Sequence, residues 1–494
     1  LKKNYIDIPI FTTIQEIMEK DYTLSATQYK SLQIKNKNLK PVSSFLDRNL
    51  ERYDLGYEVG SESYIETSPY YFIKTKALQE ESYLLDITDD SVQAIVPQNF
   101  VDMKLKKGDI IISKDSNVGE IVILDKDYPN TMLCGALYKL PITTYKYYLL
   151  AFIKNQIFRD QIDFLVPRGS TIRHGKTKFL DCLIPLPNQN KENVISYIEL
   201  LMQAIINKEI EIKKRYVQVS DYIMSELQNN QLENLFTYSF PSINEIMETT
   251  RLDSSVYSKR FKEIDFMIKN YKYGYSYISK ENIKGGNTPQ KRIISEEDNL
   301  SNYWITPTIF DNIGLLNSHP TIDCFESNIY SNCLLIVNRT SKGKDGLYVG
   351  LSYFYDFINL GVGHHNQGIY RIQNYCDSDL VFYNAILNSN LYREYCGALS
   401  MGSKMKEIKV NEITSIPFPN FPIEKKEKVV SLYYTPFYKY DSQKCSILNF
   451  SEYDSSFNSK AGIYELDRSK KYLEEKLSKT INNIINDIAV TIEF

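Results

Sequence analysis

The chain has 494 residues, 43% of them apolar, and a formal net charge of −3. That length calls for two to four domains with real hydrophobic cores and excludes a disordered chain. The near-balanced charge excludes a protein that coats nucleic acid by bulk attraction, yet leaves room for a local basic face.

No apolar run is long enough to cross a bilayer, and no charged-then-apolar leader ends in a small-residue cleavage site. A soluble, intracellular protein with no membrane partner is therefore expected. The seven cysteines are odd in number, widely spaced and without a CxxC pair. They fit buried, reduced thiols better than a disulfide frame or a zinc ribbon. His364–His365 is the single histidine pair, and no Cys or carboxylate stands around it at metal-ligand spacing. Neither a metal nor a cofactor is expected. The 40 tyrosines, beside abundant Asn, Lys and Ile, read as a compositional bias.

In chain order, the first notable segment is IQEIMEKDYTLSATQY, from Ile14. The run GDIIIS at 108–113 reads as a strand, since β-branched side chains crowd a helix and suit a pleated sheet. Behind it lies a loop with Lys114, Ser116, Asn117 and Gly119, and a helix is predicted over 147–160. Between Phe164 and Phe179 comes a stretch without an acidic residue. It carries Arg168, Arg173, Lys176 and Lys178, with Gly169, Ser170, Thr171 and His174 among them. A strand ending in IPLPN at 184–188 follows. From Asn193 to Leu227 there is neither Gly nor Pro, and Val194, Ile198, Leu201, Ile205 and Ile212 recur at heptad-like spacing. Tyr216, Val219, Ile223 and Leu227 continue the stripe. One helix on the order of 45–50 Å long is predicted.

The same parts then return. INEIMETTRLDSSVY begins at Ile243. IKGGNTPQKR at 283–292, with Gly286, Asn287, Thr288, Lys291 and Arg292, leads to NYWITPT, which holds Trp304. CLLIVN at 333–338 reads as a strand, followed by Arg339, Thr340, Ser341, Lys342 and Lys344. A helix is predicted over 380–395, then a second Gly-Ser loop with Gly402, Ser403, Lys404 and Lys406, then IPFPN at 416–420. The segment 433–462 has no counterpart in the first half. Beyond it, Leu466, Leu473, Leu477, Ile481, Ile484 and Ile488 mark a C-terminal helix.

Five segments thus recur in the same order, at offsets from 228 (Leu24 to Leu252) to 233 (Arg168 to Met401). A period this long is a domain duplication rather than a solenoid. The expected fold is α+β: two tandem globules at 1–190 and 231–424, a long helix at 191–230, an insertion or linker at 425–462, and a second long helix at 463–494. A narrow apolar stripe on a long helix needs a partner. The two helices are expected to pack as an antiparallel coiled coil about a pseudo-two-fold axis and hold the globules apart.

Two similar globules on a helical ruler match duplex DNA, whose half-site spacing such a separator would set. Arginine offers a fork to guanine, while Ser, Thr and amides near glycine hold phosphates. Each basic cluster alone reads as an ordinary solvated loop; recurrence of the Gly-Ser loop at matching positions favours DNA contact. Catalysis has little support. There is no Asn–Pro–Pro–aromatic motif, no glycine-rich cofactor loop and no GxxxxGK[ST] phosphate loop. The carboxylates of ESYLLDITDD at 81–90 read as a solvated edge, and Ser170 with His174 as DNA-facing polarity rather than a nucleophile and its base. The remaining rival is a coiled-coil scaffold that binds proteins and no DNA.

KGGNTPQKR followed by NYWITPT, with Trp304 and Thr306–Pro307–Thr308, resembles the start of a target recognition domain in specificity subunits of type I restriction-modification enzymes. RLDSSVY at Arg251 resembles an RLD-x-x-x-Y opening of some of those domains, and GDIIISKDSNVGE resembles their strand-and-loop segment. The most characteristic succession is the Gly-Ser loop, a strand ending in Pro-x-Pro, and a long helix. It occurs twice, and the resemblance covers most of the chain. The first half departs from the pattern in lacking a GGxTP run and a tryptophan. The resemblance implies a non-catalytic subunit in the cytoplasm of a prokaryotic cell, associated with the nucleoid when in complex. Such a subunit reads a split, asymmetric site in double-stranded DNA and recruits two adenine methyltransferase subunits. In full restriction systems a motor-nuclease (restriction) subunit joins. The same subunit could serve a methylation-only or another phage-defence system.

Overall fold

The computed structural model describes residues 5–7, 9–25, 29–166, 174–295, 300, 302–324, 326–343 and 346–494. The chain forms two compact units. The first comprises Leu1–Glu211, Lys439–Lys460 and Leu466–Phe494, and the second Ile212–Tyr438 with Ala461–Glu465.

In the first unit the strand Ile110–Ser113 lies between Ile121–Ile123 and Leu137–Leu140, antiparallel to both. Every residue of Ile110–Ser113 and Ile121–Ile123 is buried, which explains why neither run alternates with polar residues. Side chains alternate across a strand. Ile110 and Ile112 therefore enter a core with Leu149, Phe152 and Ile157, while Ile111 joins Phe72, Met132 and Leu137 on the other side. A second sheet sets Tyr71–Ile73 parallel to Thr131–Leu133 and antiparallel to Val92–Ala94.

The second unit repeats this wiring. Cys333–Val337 lies between Ser352–Tyr355 and Ile369–Ile372, antiparallel to both, and Ile283–Gly285 adds an outer strand. Asn302–Ile305 runs parallel to Gly363–His365 and antiparallel to Thr321–Asp323, which also pairs with Ile293–Ser295. The strand leading into each Pro-x-Pro pairs with an early strand of its own unit: Leu183–Pro185 with Leu39–Pro41, and Phe418–Pro419 with Tyr275–Ser276. Even the opening helices match. Ile14–Glu19 and Ile243–Thr249 are capped by the hydroxyls of Thr13 and Ser242, which accept from the amides of Glu16 and Glu245. The duplication is a property of the fold as well as of the sequence.

Local departures from the predicted elements have clear causes. The helix expected over 147–160 is two helices, Lys146–Ile153 and Gln156–Leu165, because the Asn155 side chain accepts from the Ile157 amide at 3.1 Å and starts a new helix. A break at the matching place separates Asp377–Asn388 from Asn390–Leu399; there the Asn390 amide donates to the Ser220 hydroxyl at 3.0 Å.

The central helix runs from Lys191 to Asn229, 39 residues, or roughly 58 Å. Its two halves have different partners. In the first unit Val194, Ile198, Leu201 and Ile205 share a core with Leu473, Leu477, Ile481 and Ile484 of the C-terminal helix Ile463–Ile485. The pair is antiparallel. Asn36 joins the carbonyls of Leu186 and Ile484, both at 2.9 Å, at one end, and Lys470 lies 3.7 Å from Glu209 at the other. In the second unit the rest of the central helix pairs with Ile423–Tyr433, again antiparallel. Lys425 meets Glu226 at 2.6 Å, and the Lys428 ammonium sits 4.3 Å from the Tyr222 ring centre. The coiled coil expected between two long helices is thus two successive pairings. Ile423–Tyr433 follows IPFPN as the central helix follows IPLPN.

The stretch 425–462 therefore holds most of that helix, and also a second one, Phe450–Lys460. This second helix belongs to the first unit and is held in it by a buried cluster. The Lys208 ammonium, 0% exposed, lies 2.7 Å from both the Asp454 carboxylate and the Asn458 carbonyl oxygen. Tyr440 donates to the same carboxylate at 2.9 Å and places its ring 4.4 Å from the ammonium. Burial pushes Lys208 down to about 8, and the ion pair with Asp454 opposes that fall, so the group is charged at neutral pH. The C-terminal helix ends at Ile485 rather than 494. The tail turns at Asp487 (φ 56°) and stacks Phe494 on Phe450 at 4.0 Å. Among the described residues no helix is long and apolar enough to cross a membrane.

Candidate nucleic-acid interface

In the first unit the site is built where the strand Ile110–Ser113 ends. The loop behind it meets the described end of the Gly-Ser segment. Asp115 bridges antiparallel to His174, and the Gly175 amide donates to the Lys114 carbonyl at 2.8 Å. Gly175 is required there, since a Cβ would lie 2.6 Å from Val118 and 2.8 Å from the Lys114 oxygen. The Asp115 carboxylate pairs with the Lys114 ammonium and with His174 Nδ1, the latter at 3.1 Å. His174 (67% exposed), Lys176 and Lys178 face solvent, with Lys178 3.6 Å from Asp181. Ser116 is exposed in a left-handed turn (φ 67°). Asn117, expected to face DNA, turns inward instead. Its amide donates to the carbonyls of Thr75 at 3.0 Å and Leu78 at 2.9 Å and ties the loop to the second sheet. Arg168, Gly169, Ser170, Thr171 and Arg173 lie outside the described residues.

The second unit makes the same junction. Arg339–Thr340, behind the strand Cys333–Val337, pairs antiparallel with Lys406–Glu407 of the Gly-Ser loop. Gly402 adopts φ +100°, and a Cβ there would lie 2.2 Å from the Met405 carbonyl oxygen, so the loop depends on glycine. Ser403, Lys404 and Ser341 are exposed, and Arg339 and Lys406 half-buried. Thr340 is only 7% exposed and accepts from the Lys342 amide at 3.0 Å. Lys342 donates to the Phe310 carbonyl at 2.6 Å and sits 4.6 Å over the Tyr348 ring. Both residues, expected at the interface, stitch the loop to its own unit. Lys344 lies outside the described residues.

A third basic stretch joins these two through the turn His364–Gly368. The Asn287 amide donates to the His365 carbonyl at 3.3 Å, and the Thr288 hydroxyl to the Gln367 side-chain oxygen. Gly286 packs so closely that a Cβ would fall 2.1 Å from the Asn366 carbonyl oxygen. On the other side of the turn, the Asn338 and Arg339 amides donate to the Gly368 carbonyl at 2.9 and 3.3 Å. Lys291 and Arg292 are exposed, and Arg292 donates to the Pro289 carbonyl. Three basic stretches far apart in the chain therefore converge. Trp304, also expected at the interface, is 7% exposed: its strand is hydrogen-bonded on both sides, and its ring packs 5.5 Å from that of His364. Sequence reasoning missed Gln367 and Asn366. The only signal was a polar pair followed by glycine, a turn signature.

His364 and His365 are wholly buried. The ring nitrogens of His364 lie 2.7 Å from the Glu326 carbonyl and 2.9 Å from that of Asn287. Among the described residues no group of three or more His, Cys, Asp or Glu could hold a metal ion. Burial, reinforced by nearby Arg371, lowers His365 from 6.5 to about 4. The unfolded chain then takes up a proton that the folded chain refuses. Stability is lost as pH falls from 6.5 through 4, by about 3 kcal/mol from this group. In urea titrations, His365→Gln is expected to lose that much less stability than the wild type between pH 7 and 4. Equal losses would remove His365 as a cause.

Two copies of one α+β unit, in each of which a basic segment pairs with the loop behind a central strand, at Asp115–His174 and at Arg339–Glu407, define a duplicated fold. No family model matches the chain, and no curated protein matches it. Three solved structures similar to it are of type I restriction-modification systems. One is the S subunit from M. genitalium, with 11% identity over 89% of this chain and 95% of that one, at TM-score 0.40. Another comes from a type I system described for its complex assembly and conformational transition, with 12% identity over 91% and 98%, at TM-score 0.27. The third is the HsdS subunit from Thermoanaerobacter tengcongensis, with 12% identity over 86% and 95%, at TM-score 0.25.

Proposed function

We propose that the chain is the DNA-recognition subunit of a type I, or type I-like, restriction-modification system. Each unit reads one half of a split, asymmetric duplex site, and the central helix sets the spacing. The subunit does no chemistry itself. It recruits two adenine methyltransferase subunits, joined by a motor-nuclease subunit in systems that cleave, in the cytoplasm of a prokaryotic cell. The observation that carries this reading is the repeated junction of a post-strand loop with a basic Gly-Ser segment, at Asp115–His174 and at Arg339–Glu407. Lysines, hydroxyls and glycine amides on one surface suit phosphate oxygens, and an arginine or amide among them suits base edges.

Selection of random duplexes by the full chain tests it. The expected result is one split motif with a fixed, unspecified spacer. Removing one heptad from the central helix and one from the C-terminal helix keeps their pairing in phase. It should shorten the spacer by roughly three base pairs, at 1.5 Å per residue against 3.4 Å per base pair. An unchanged spacer would contradict the ruler; enrichment of no sequence would favour a protein-binding scaffold.

A further inference from the structure

The buried histidine pair organises the turn at which the three basic stretches of the second unit meet. His364 bridges the carbonyls of Glu326 and Asn287. His365 Nδ1 lies 3.1 Å from the Ile369 carbonyl, and its own carbonyl accepts from the Asn328 side chain at 3.0 Å. On this buried base stands one exposed amide, Gln367. Its side-chain oxygen accepts from the Thr288 hydroxyl, and its backbone carbonyl from Asn338 at 3.3 Å. The Thr288 hydroxyl occupies one lone pair of the side-chain oxygen. It leaves that oxygen a second lone pair, and leaves the NH2 group to donate.

We propose that Gln367 is a specificity-determining residue of the second unit and reads an adenine in the major groove. Its oxygen accepts from N6 and its NH2 donates to N7, the pairing that a glutamine side chain makes with that base alone. Lys291, Lys404 and Arg339, on the stretches flanking the turn, supply the phosphate contacts that hold the duplex in register. The turn is held by hydrogen bonds on both sides, so little side-chain and loop freedom is lost on binding. This inference rests on the DNA-recognition reading above.

The test is selection of random duplexes by the full chain, wild type against Gln367→Ala and Gln367→Glu. Gln367 is exposed, so neither substitution removes a core contact. In the wild type, one adenine of one half-site is expected to be preferred by roughly 5- to 150-fold. Gln367→Ala should abolish that preference and leave every other position intact. Gln367→Glu, an acceptor without a donor, should shift it toward cytosine, whose N4 donates. A Gln367→Ala motif identical to the wild-type motif would overturn the assignment while leaving DNA recognition standing. A wild type that enriches no sequence would overturn the recognition reading itself, and this inference with it.

Discussion

Replacing Lys208 with methionine lowers stability by about 3–5 kcal/mol, because it strands the buried Asp454 carboxylate without its cation. The side chains of Lys208 and Asp454 are 0% and 4% exposed, so water cannot take the place of the lost partner. Tyr440 and Asn458 still donate to Asp454, at 2.9 and 2.8 Å, but neither is charged. The measurement is urea unfolding followed by circular dichroism. A loss below about 1 kcal/mol, the range of an exposed pair, would show that the cluster is solvated in solution. The double variant Lys208→Met, Asp454→Leu is expected to regain much of the loss, since removing both charges also removes their desolvation cost.

The second large effect concerns binding. The triple variant Lys176→Ala, Lys291→Ala, Lys404→Ala removes three exposed ammonium groups, one from the first unit and two from the second. If each neutralises one phosphate, the slope of log affinity against log salt should become shallower by about three. Affinity should fall about equally for matched and mismatched duplexes, because phosphate contacts carry no base information. Fluorescence anisotropy over a salt series decides it. An unchanged slope would place these lysines outside the interface. A pronounced loss of discrimination with an unchanged slope would mean that they touch bases.

The repeat was legible because it is local: each copied segment is a short string, and the strands of the first unit's two three-stranded sheets and of its Pro-x-Pro pair each have a counterpart in the second, whereas the pair Ile6–Asp7 and Ser31–Leu32 has none. The second Gly-Ser loop was legible for the same reason, through its glycine and two lysines, while residues 168–173 of the first lie outside the described residues. What sequence could not supply was the direction a side chain takes. Asn117, Thr340 and Trp304 belong to residue types that suit DNA, yet Asn117 and Trp304 are turned inward by neighbours across the fold and Thr340 is buried in its own loop. The turn holding Gln367 was invisible because its importance comes from three segments that meet only in space. The helix pairing was half legible. The apolar stripe on 191–229 predicted a partner, but one stripe does not show that its two halves choose different ones, or that Ile423–Tyr433 supplies the second.

The first unit is assembled from three separate stretches of chain, which has a consequence for synthesis. Its core includes Leu473, Leu477, Ile481, Ile484 and Phe494, and the Tyr5 hydroxyl donates to the Asn482 side chain at 2.9 Å. The half made first is therefore the half completed last. The 254 residues from 212 to 465 pass before Leu466 emerges, roughly 13–50 s at the rates at which ribosomes elongate chains. Throughout that interval the apolar face of Ile198, Leu201 and Ile205 waits uncovered, a surface for chaperones to guard. A nonsense mutation near the 3′ end of the coding sequence would accordingly leave the amino-terminal unit, not its neighbour, unfinished.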